Sequence, residues 1–367
     1  MKFDRHIRHR WQSHGLKCRL GFSVAVFIAI SVPSHADLPG ISDAKTTSQR
    51  SDQNAETLLR RSIEHLAFGD AFDANLRQRV WVGNRAIVGV GHYEQSGHGT
   101  GRYSLEMTIH DGDTRQTMKQ ISDGKLAWHR SQIGETIAIR RVDLGRIDEF
   151  EREWLMSQST ANSTNPTPFG PATTSSHASD PLPSRLLVGG LVELLDRIGF
   201  DYVLKLKKGT VERKPVWFLH GQLREAARSR IVATTGRDML PELCPVEVRV
   251  AIAATADATG FGAGIPLQIE FYSAPPANIK PASSLPISTV SNHGEQAADS
   301  DGQSAASSNS STGMPAGRII SLLEVYSLRR IEASPEERFR FLSDDRQVTF
   351  TNDTQRYLDR SSERTKQ

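Results

Sequence analysis

The spacing of apolar residues predicts one opening helix followed by a long series of strands. Leu58, Leu59, Ile63, Leu66 and Ala67 recur at three- and four-residue intervals, which places them on one helical face, and Gly69-Asp70 ends that pattern. From Asn75 the period becomes two. Tyr103, Leu105, Met107 and Ile109 alternate with polar neighbours, as a half-buried antiparallel strand requires. Comparable runs occupy Leu76–Val82, Arg85–Tyr93, Arg115–Ile121, Thr136–Val142, Tyr202–Leu206, Val216–Leu223, Val246–Ile252, Leu267–Tyr272, Ile319–Arg330 and Arg338–Leu342. Turn-forming residues separate several of them, including Ser96-Gly97-His98-Gly99, Asp111-Gly112-Asp113 and Ser122-Asp123-Gly124. This order predicts a mainly β (α+β) fold: a meandering antiparallel sheet long enough to curl into a barrel or split into a sandwich. Two helical faces interrupt it, one of Ile147, Phe150, Trp154 and Leu155, the other of Leu191, Leu194, Leu195 and Ile198. With the first helix they can cover one face of a curved sheet and enclose an apolar space.

The N-terminus has a different character. Lys2, Arg5, Arg8, Arg10, Lys17 and Arg19 precede an uncharged run from Leu20 to Val32, and Ser34 and Ala36 stand at the small-residue positions of a cleavage site. That is the pattern of a secretory signal cleaved after Ala36, and it predicts a periplasmic or secreted protein. The competing reading, an uncleaved anchor, needs roughly 20 apolar residues. No transmembrane helix is expected in the mature chain. The leader also changes the charge balance. Of 45 basic and 42 acidic residues, residues 1–36 hold six and one, leaving 39 and 41. A near-neutral mature chain gives no reason to expect a nucleic-acid partner. Only Cys244 follows the leader, so neither an internal disulfide nor a cysteine zinc site is predicted.

Composition sets the domain boundaries. Residues 37–54 read as a polar spacer, 55–360 as a single domain, and 361–367 as a disordered tail. Two Ser/Pro-rich insertions, at about 157–183 and 273–317, lack the apolar content to build a core.

Catalytic motifs are absent. Gly97-His98-Gly99-Thr100-Gly101 resembles the histidine motif of subtilisin-like proteases, yet no matching Ser or Asp motif accompanies it, and it reads as a glycine-rich hairpin turn. Gly89-Val90-Gly91 lacks the third glycine and the following helix of a dinucleotide loop; it reads as small residues on a strand where a helix packs closely. The histidines have no ligand spacing, and neither a metal nor a cofactor is predicted. The sequence predicts no enzyme, although a catalytic pair assembled only in three dimensions stays open.

Three segments carry a family resemblance. The opening amphipathic helix leads into Gly89-Val90-Gly91-His92-Tyr93; Ser122-Asp123-Gly124-Lys125 is followed by Trp128; and Arg338-Phe339-Arg340-Phe341 precedes Gln347-Val348-Thr349-Phe350. In this order they resemble the LolA-like family of periplasmic lipoprotein carriers, over about Ala55 to Asp359. The mature chain is much longer than a typical carrier. The resemblance implies a half-open curved antiparallel β-barrel with a helical lid, and a function in carrying lipid or lipoprotein acyl chains. It places Trp81, Tyr103, Leu105, Met107, Ile109 and Trp128 as candidate cavity residues. Arg102 is the loose candidate for the family's lid arginine. The same fold also serves lipid-binding and sensor proteins, so an envelope protein is the alternative partner, met by a scaffold whose core is filled with its own side chains.

Overall fold

A computed structural model of the chain describes residues 46–112, 114–162, 182–236, 239–274, 317–332, 334–342 and 350–364. The leader, the spacer up to residue 45 and most of both insertions lie outside the described residues.

Helix α1 (Thr46–Phe68) enters β1 (Phe72–Val82), and β2 (Arg85–Gln95), β3 (Arg102–Asp111), β4 (Thr114–Asp123), β5 (Leu126–Ile133) and β6 (Thr136–Asp143) follow as successive hairpins. Helix α2 (Leu144–Asn162), a 3-10 turn at Ser184–Leu187 and α3 (Gly190–Asp201) lead to a second meander. This comprises β7 (Tyr202–Val211), β8 (Lys214–Leu223), α4 (Glu225–Thr235), β9 (Glu247–Ala253), β10 (Pro266–Tyr272) and β11 (Ile319–Arg330). A 3-10 turn (Glu336–Phe339), β12 (Phe350–Asn352) and α5 (Thr354–Arg364) end the described chain.

The twelve strands form one open sheet in the order β12-β6-β5-β4-β3-β2-β1-β11-β10-β9-β8-β7. Mainly β architecture, an open sheet and a cover of helices agree with a half-barrel. The order is nonetheless two meanders joined rather than one. β1 pairs along its length with β11, Leu76 opposite Val325, and this joint sits at the centre of the sheet. One pair is parallel: β12 on β6, with Phe350 opposite Ile139.

Turn chemistry fixes the hairpins. At Ser122-Asp123-Gly124-Lys125 the Asp123 carboxylate accepts the N–H groups of Lys125 and Leu126, both at 2.7 Å. The Ser122 hydroxyl donates to the Gly101 carbonyl at 2.7 Å, tying this turn to the β2–β3 connection. Gly91 and Gly89 are small for a reason other than helix packing. A Cβ at Gly91 would overlap the β3 backbone at Glu106, and one at Gly89 would press on Ile109 at 2.6 Å, so the crowding comes from the neighbouring strand.

The core lies on the concave face. Leu59, Ile63 and Leu66 of α1 and Leu191, Leu195 and Ile198 of α3 pack against Leu76, Tyr93, Leu105, Leu204, Leu219, Val250 and Ile269 of the sheet. A smaller cluster of Ala127, Val142, Leu144, Ile147, Val188 and Leu358 joins α2 and α5 to β5 and β6.

Several boundaries differ from the sequence reading. The segment Arg338–Leu342, expected as a strand, begins as the second 3-10 turn. Pro335 starts it at φ −55°, and Phe339 is driven to 1% exposure over β3 and β4 instead of alternating along a strand. Helix α1 begins at Thr46, inside the expected spacer, and α5 runs through Arg364, into the expected tail.

Candidate functional site

The strand register sorts the expected cavity residues onto two faces. Tyr103, Leu105, Met107 and Ile109 project together from β3 into the concave face, each 4–7% exposed. Their neighbours on that face are Tyr93, Gly91 and Gly89 of β2 and Ser122, Gln120 and Met118 of β4. Trp81 stands five positions after Leu76 on a strand of regular register, so it shares the convex face with Arg77 and Arg79. Trp128, opposite Ile121 and Arg141, is also on the convex side. There its ring stacks on Phe341 with centroids 4.9 Å apart and meets Phe350 edge-on at 5.7 Å. The Arg141 guanidinium lies 4.9 Å from the centre of the Phe350 ring, a cation–π contact. Arg102 is convex too: it donates to Glu336 at 2.6 Å and to the Asp123 carbonyl at 3.3 Å, away from α1 and α3.

The deep end of the concave face is closed by α1 and α3, whereas the end nearest the β1–β2 and β3–β4 hairpin tips is less covered. On that same face Val80, Val82, Ile87 and Met118 stay half-buried, and Ile133 is exposed. A mainly apolar lining, interrupted by Gln78, Gln116 and Ser131, therefore runs from the packed core out to a half-open mouth.

A polar cavity of about 100 Å3 sits beside the packed core, and Tyr103 and Trp128 both border it. Its other walls include Gln120, His129, Glu193, Arg356 and Tyr357. The sequence reading did not single out these residues, and their positions follow from the entry into α3. Gly189 and Gly190 have φ of +79° and +61°, which glycine alone adopts without penalty. A Cβ at Gly189 would overlap the Tyr103 hydroxyl, and one at Gly190 would lie 2.9 Å from that of Tyr93. The double glycine thus lets the helix start directly against two buried tyrosines.

Glu193, one turn into α3, bends back to accept the Gly189 N–H at 2.7 Å. It also accepts from Arg197 at 3.0 Å, Arg360 at 3.3 Å and the Tyr357 hydroxyl at 3.0 Å. Burial pushes its pKa upward, but the two guanidinium groups and the backbone donor outweigh burial and hold it below the ordinary carboxylate value. Arg360 binds Asp196 as well, at 2.5 Å, so α5 is fastened to α3 by a buried ionic network. The signal for this was a lone carboxylate inside Leu191-Val192-Glu193-Leu194-Leu195, a place where charge survives only with partners.

His129 is fixed by its neighbours. The Gln120 side-chain oxygen accepts the Gly190 N–H at 3.1 Å, which turns the amide NH2 toward His129 Nδ1 at 3.3 Å. An amide nitrogen can only donate, so Nδ1 accepts and the ring proton sits on Nε2. Burial, with the nearby Arg140 charge, lowers the His129 pKa to about 4, so the ring is neutral at pH 7. Among the described residues no group of His, Cys, Asp and Glu could hold a metal ion, and no helix is long and apolar enough to cross a membrane.

No protein-family model matches the chain, and no curated protein matches it. Among solved structures the chain is similar to MucB, at 10% identity and a TM-score of 0.30, over 80% of this chain and 64% of that one, less than two thirds of its length. It is similar to a DUF1329 family protein from Desulfovibrio piger at 8% identity and a TM-score of 0.29, over 79% of this chain and 97% of that one. It is also similar to a LolA superfamily protein from Nitrosomonas europaea, at 10% identity and a TM-score of 0.25, over 78% and 97% of the two chains. The chain is thus a remote structural neighbour of LolA superfamily and MucB structures, similar to them and identified with none.

Proposed function

We propose that the chain is an extracytoplasmic, non-catalytic binding protein that takes a lipid or lipoprotein acyl chain along the concave face of its half-barrel. The observation that supports this is the mainly apolar lining, buried at Leu105, Met107 and Ile109, half-open at Val80, Val82, Ile87 and Met118, and interrupted by Gln78, Gln116 and Ser131. A chain entering at the hairpin tips meets apolar side chains at once. To go deeper it exchanges places with Leu191, Leu195 and Ile198, whose burial contributes roughly 5–9 kcal/mol together at about 1.5–3 kcal/mol each. A sixteen-carbon chain offers about 12 kcal/mol at about 0.8 kcal/mol per methylene. The exchange is therefore favourable without any specific polar contact.

A second reading, docking to another envelope protein with the concave face permanently self-filled, draws on the closure of the deep end, where Leu66, Leu191 and Leu195 are at 0–1% exposure. Native mass spectrometry of the purified protein, with lipid extraction and titration of a fluorescent fatty acid, separates the two. Co-purifying lipid or saturable binding is the expected result. If neither occurs, acyl carriage is wrong and the docking reading takes its place.

A further inference from the structure

We propose that the cavity between β3, β5 and α5 is a carboxylate-binding site in which Tyr103, His129 and Arg356 are the donors. The carboxylate is either the head of a fatty acid or a free short-chain acid.

The inference starts from donors and acceptors. Tyr103 is only 6% exposed, and its hydroxyl lies against Gly189 on the cavity wall with no hydrogen-bond partner among the described residues. On the wall of the cavity, this hydroxyl can bond water or a ligand atom there. His129 spends Nδ1 on Gln120 and keeps its Nε2 proton for the cavity. Arg356 and Arg140 share one carboxylate, Asp353, at 3.9 and 3.4 Å. The acceptors, by contrast, are spent: Glu193 receives four donors, and the Gln120 oxygen is taken by Gly190.

Arg140 and Arg356 line the cavity together with Glu193 and Asp353, and His129 is neutral. The wall is charge-balanced, so a carboxylate there is held by donated hydrogen bonds and not by a surplus of charge. About 100 Å3 holds several waters or a carboxylate with its first carbons. Tyr103 also begins the apolar row of β3, so a head bound at its hydroxyl would place the chain beside the lining described above. That last step rests on the acyl-binding reading; the site itself does not.

The test uses the full mature chain. Calorimetric titrations with sodium butyrate and with inorganic phosphate probe the cavity, and fluorescence displacement compares palmitate with hexadecanol. Saturable butyrate binding, no phosphate binding and at least about ten-fold tighter binding of palmitate than hexadecanol are expected. Tyr103→Phe removes only the unpartnered hydroxyl, so it should fold with an unchanged Tm while weakening butyrate and narrowing the palmitate preference three- to ten-fold. Arg356→Gln should do likewise. If folded Tyr103→Phe binds butyrate and palmitate like the parent, the site is overturned. No butyrate binding together with equal palmitate and hexadecanol affinity means that the cavity holds water only, which overturns the site and leaves acyl binding standing. Butyrate binding lost in both variants, with neither long-chain ligand bound, supports the site and removes the acyl reading.

Discussion

At the scale of single residues, two groups couple stability to pH. His129 has a folded pKa of about 4 against about 6.5 for an unperturbed imidazole. The unfolded chain therefore takes up a proton on acidification that the folded chain refuses. The stabilisation is complete above pH 6.5 and is lost between pH 6.5 and 4, by up to about 3 kcal/mol. Glu193, held below its ordinary value, adds a second loss as the pH falls below the usual carboxylate range and through its folded pKa. Urea midpoints measured from pH 8 to pH 4 should fall steadily, and His129→Gln should flatten the upper part of that curve. Glu193→Gln leaves Arg197 and Arg360 without their shared carboxylate and should cost about 3–5 kcal/mol in urea unfolding at pH 7. These residues were hard to read from sequence because Gln120 and His129 put polar groups at inward positions, breaking the alternation that marks a core strand. The placement of Trp81 was readable: five positions from Leu76 is an odd step, which sends it to the other face.

Elements show where local pattern suffices and where context overrides it. The spacing of Leu191, Leu195 and Ile198 was enough to predict α3 and its buried face. What it could not show was the steric need for glycine at its start, because the two tyrosines come from strands about a hundred positions away in sequence. Gly189→Ala is expected to cost at least about 2 kcal/mol in thermal unfolding, since positive φ and overlap with Tyr103 act together. Gly134→Ala, at a positive-φ hairpin tip with nothing within 4 Å, should cost only about 1–2 kcal/mol. Strand β5 escaped the alternation reading for the same reason as His129: its inward positions include Ser131 as well. At the half-open mouth, Met118→Asp should weaken fluorescent fatty-acid binding about ten-fold while changing Tm little. Unchanged affinity in that variant would place any ligand elsewhere.

On the scale of the molecule, the C-terminal segment acts as a clasp. From β11 it crosses the convex face, where Ser334 and Arg338 reach Glu94 and Phe339 and Phe341 cover β3 to β5. It then pairs β12 with the edge of β6 and ends with α5 joined to α3 on the concave side. Truncation after Ile331 should uncover Ile121 and Trp128 and take Tyr357 and Arg360 from Glu193. A loss of at least about 3 kcal/mol and increased binding of a hydrophobic dye are expected. The phenylalanines of this segment were legible as apolar pairs. Their destination was not, because alternation says which residues face inward along a strand and nothing about which surface a loop will cross.

The pairing of β1 with β11 also has a meaning in time. A chain emerging residue by residue delivers Phe72 long before Arg330, its partner in the register. The hairpins of β2 to β6 and of β7 to β9 can close as soon as they appear, while one side of β1 waits with its backbone groups unpaired. Closing so long a loop comes late and slowly, on the scale of milliseconds to seconds for sheets dominated by non-local pairing. Until then the nascent protein is two partial sheets with a sticky seam between them, and it is at this seam that a holding chaperone would protect it best.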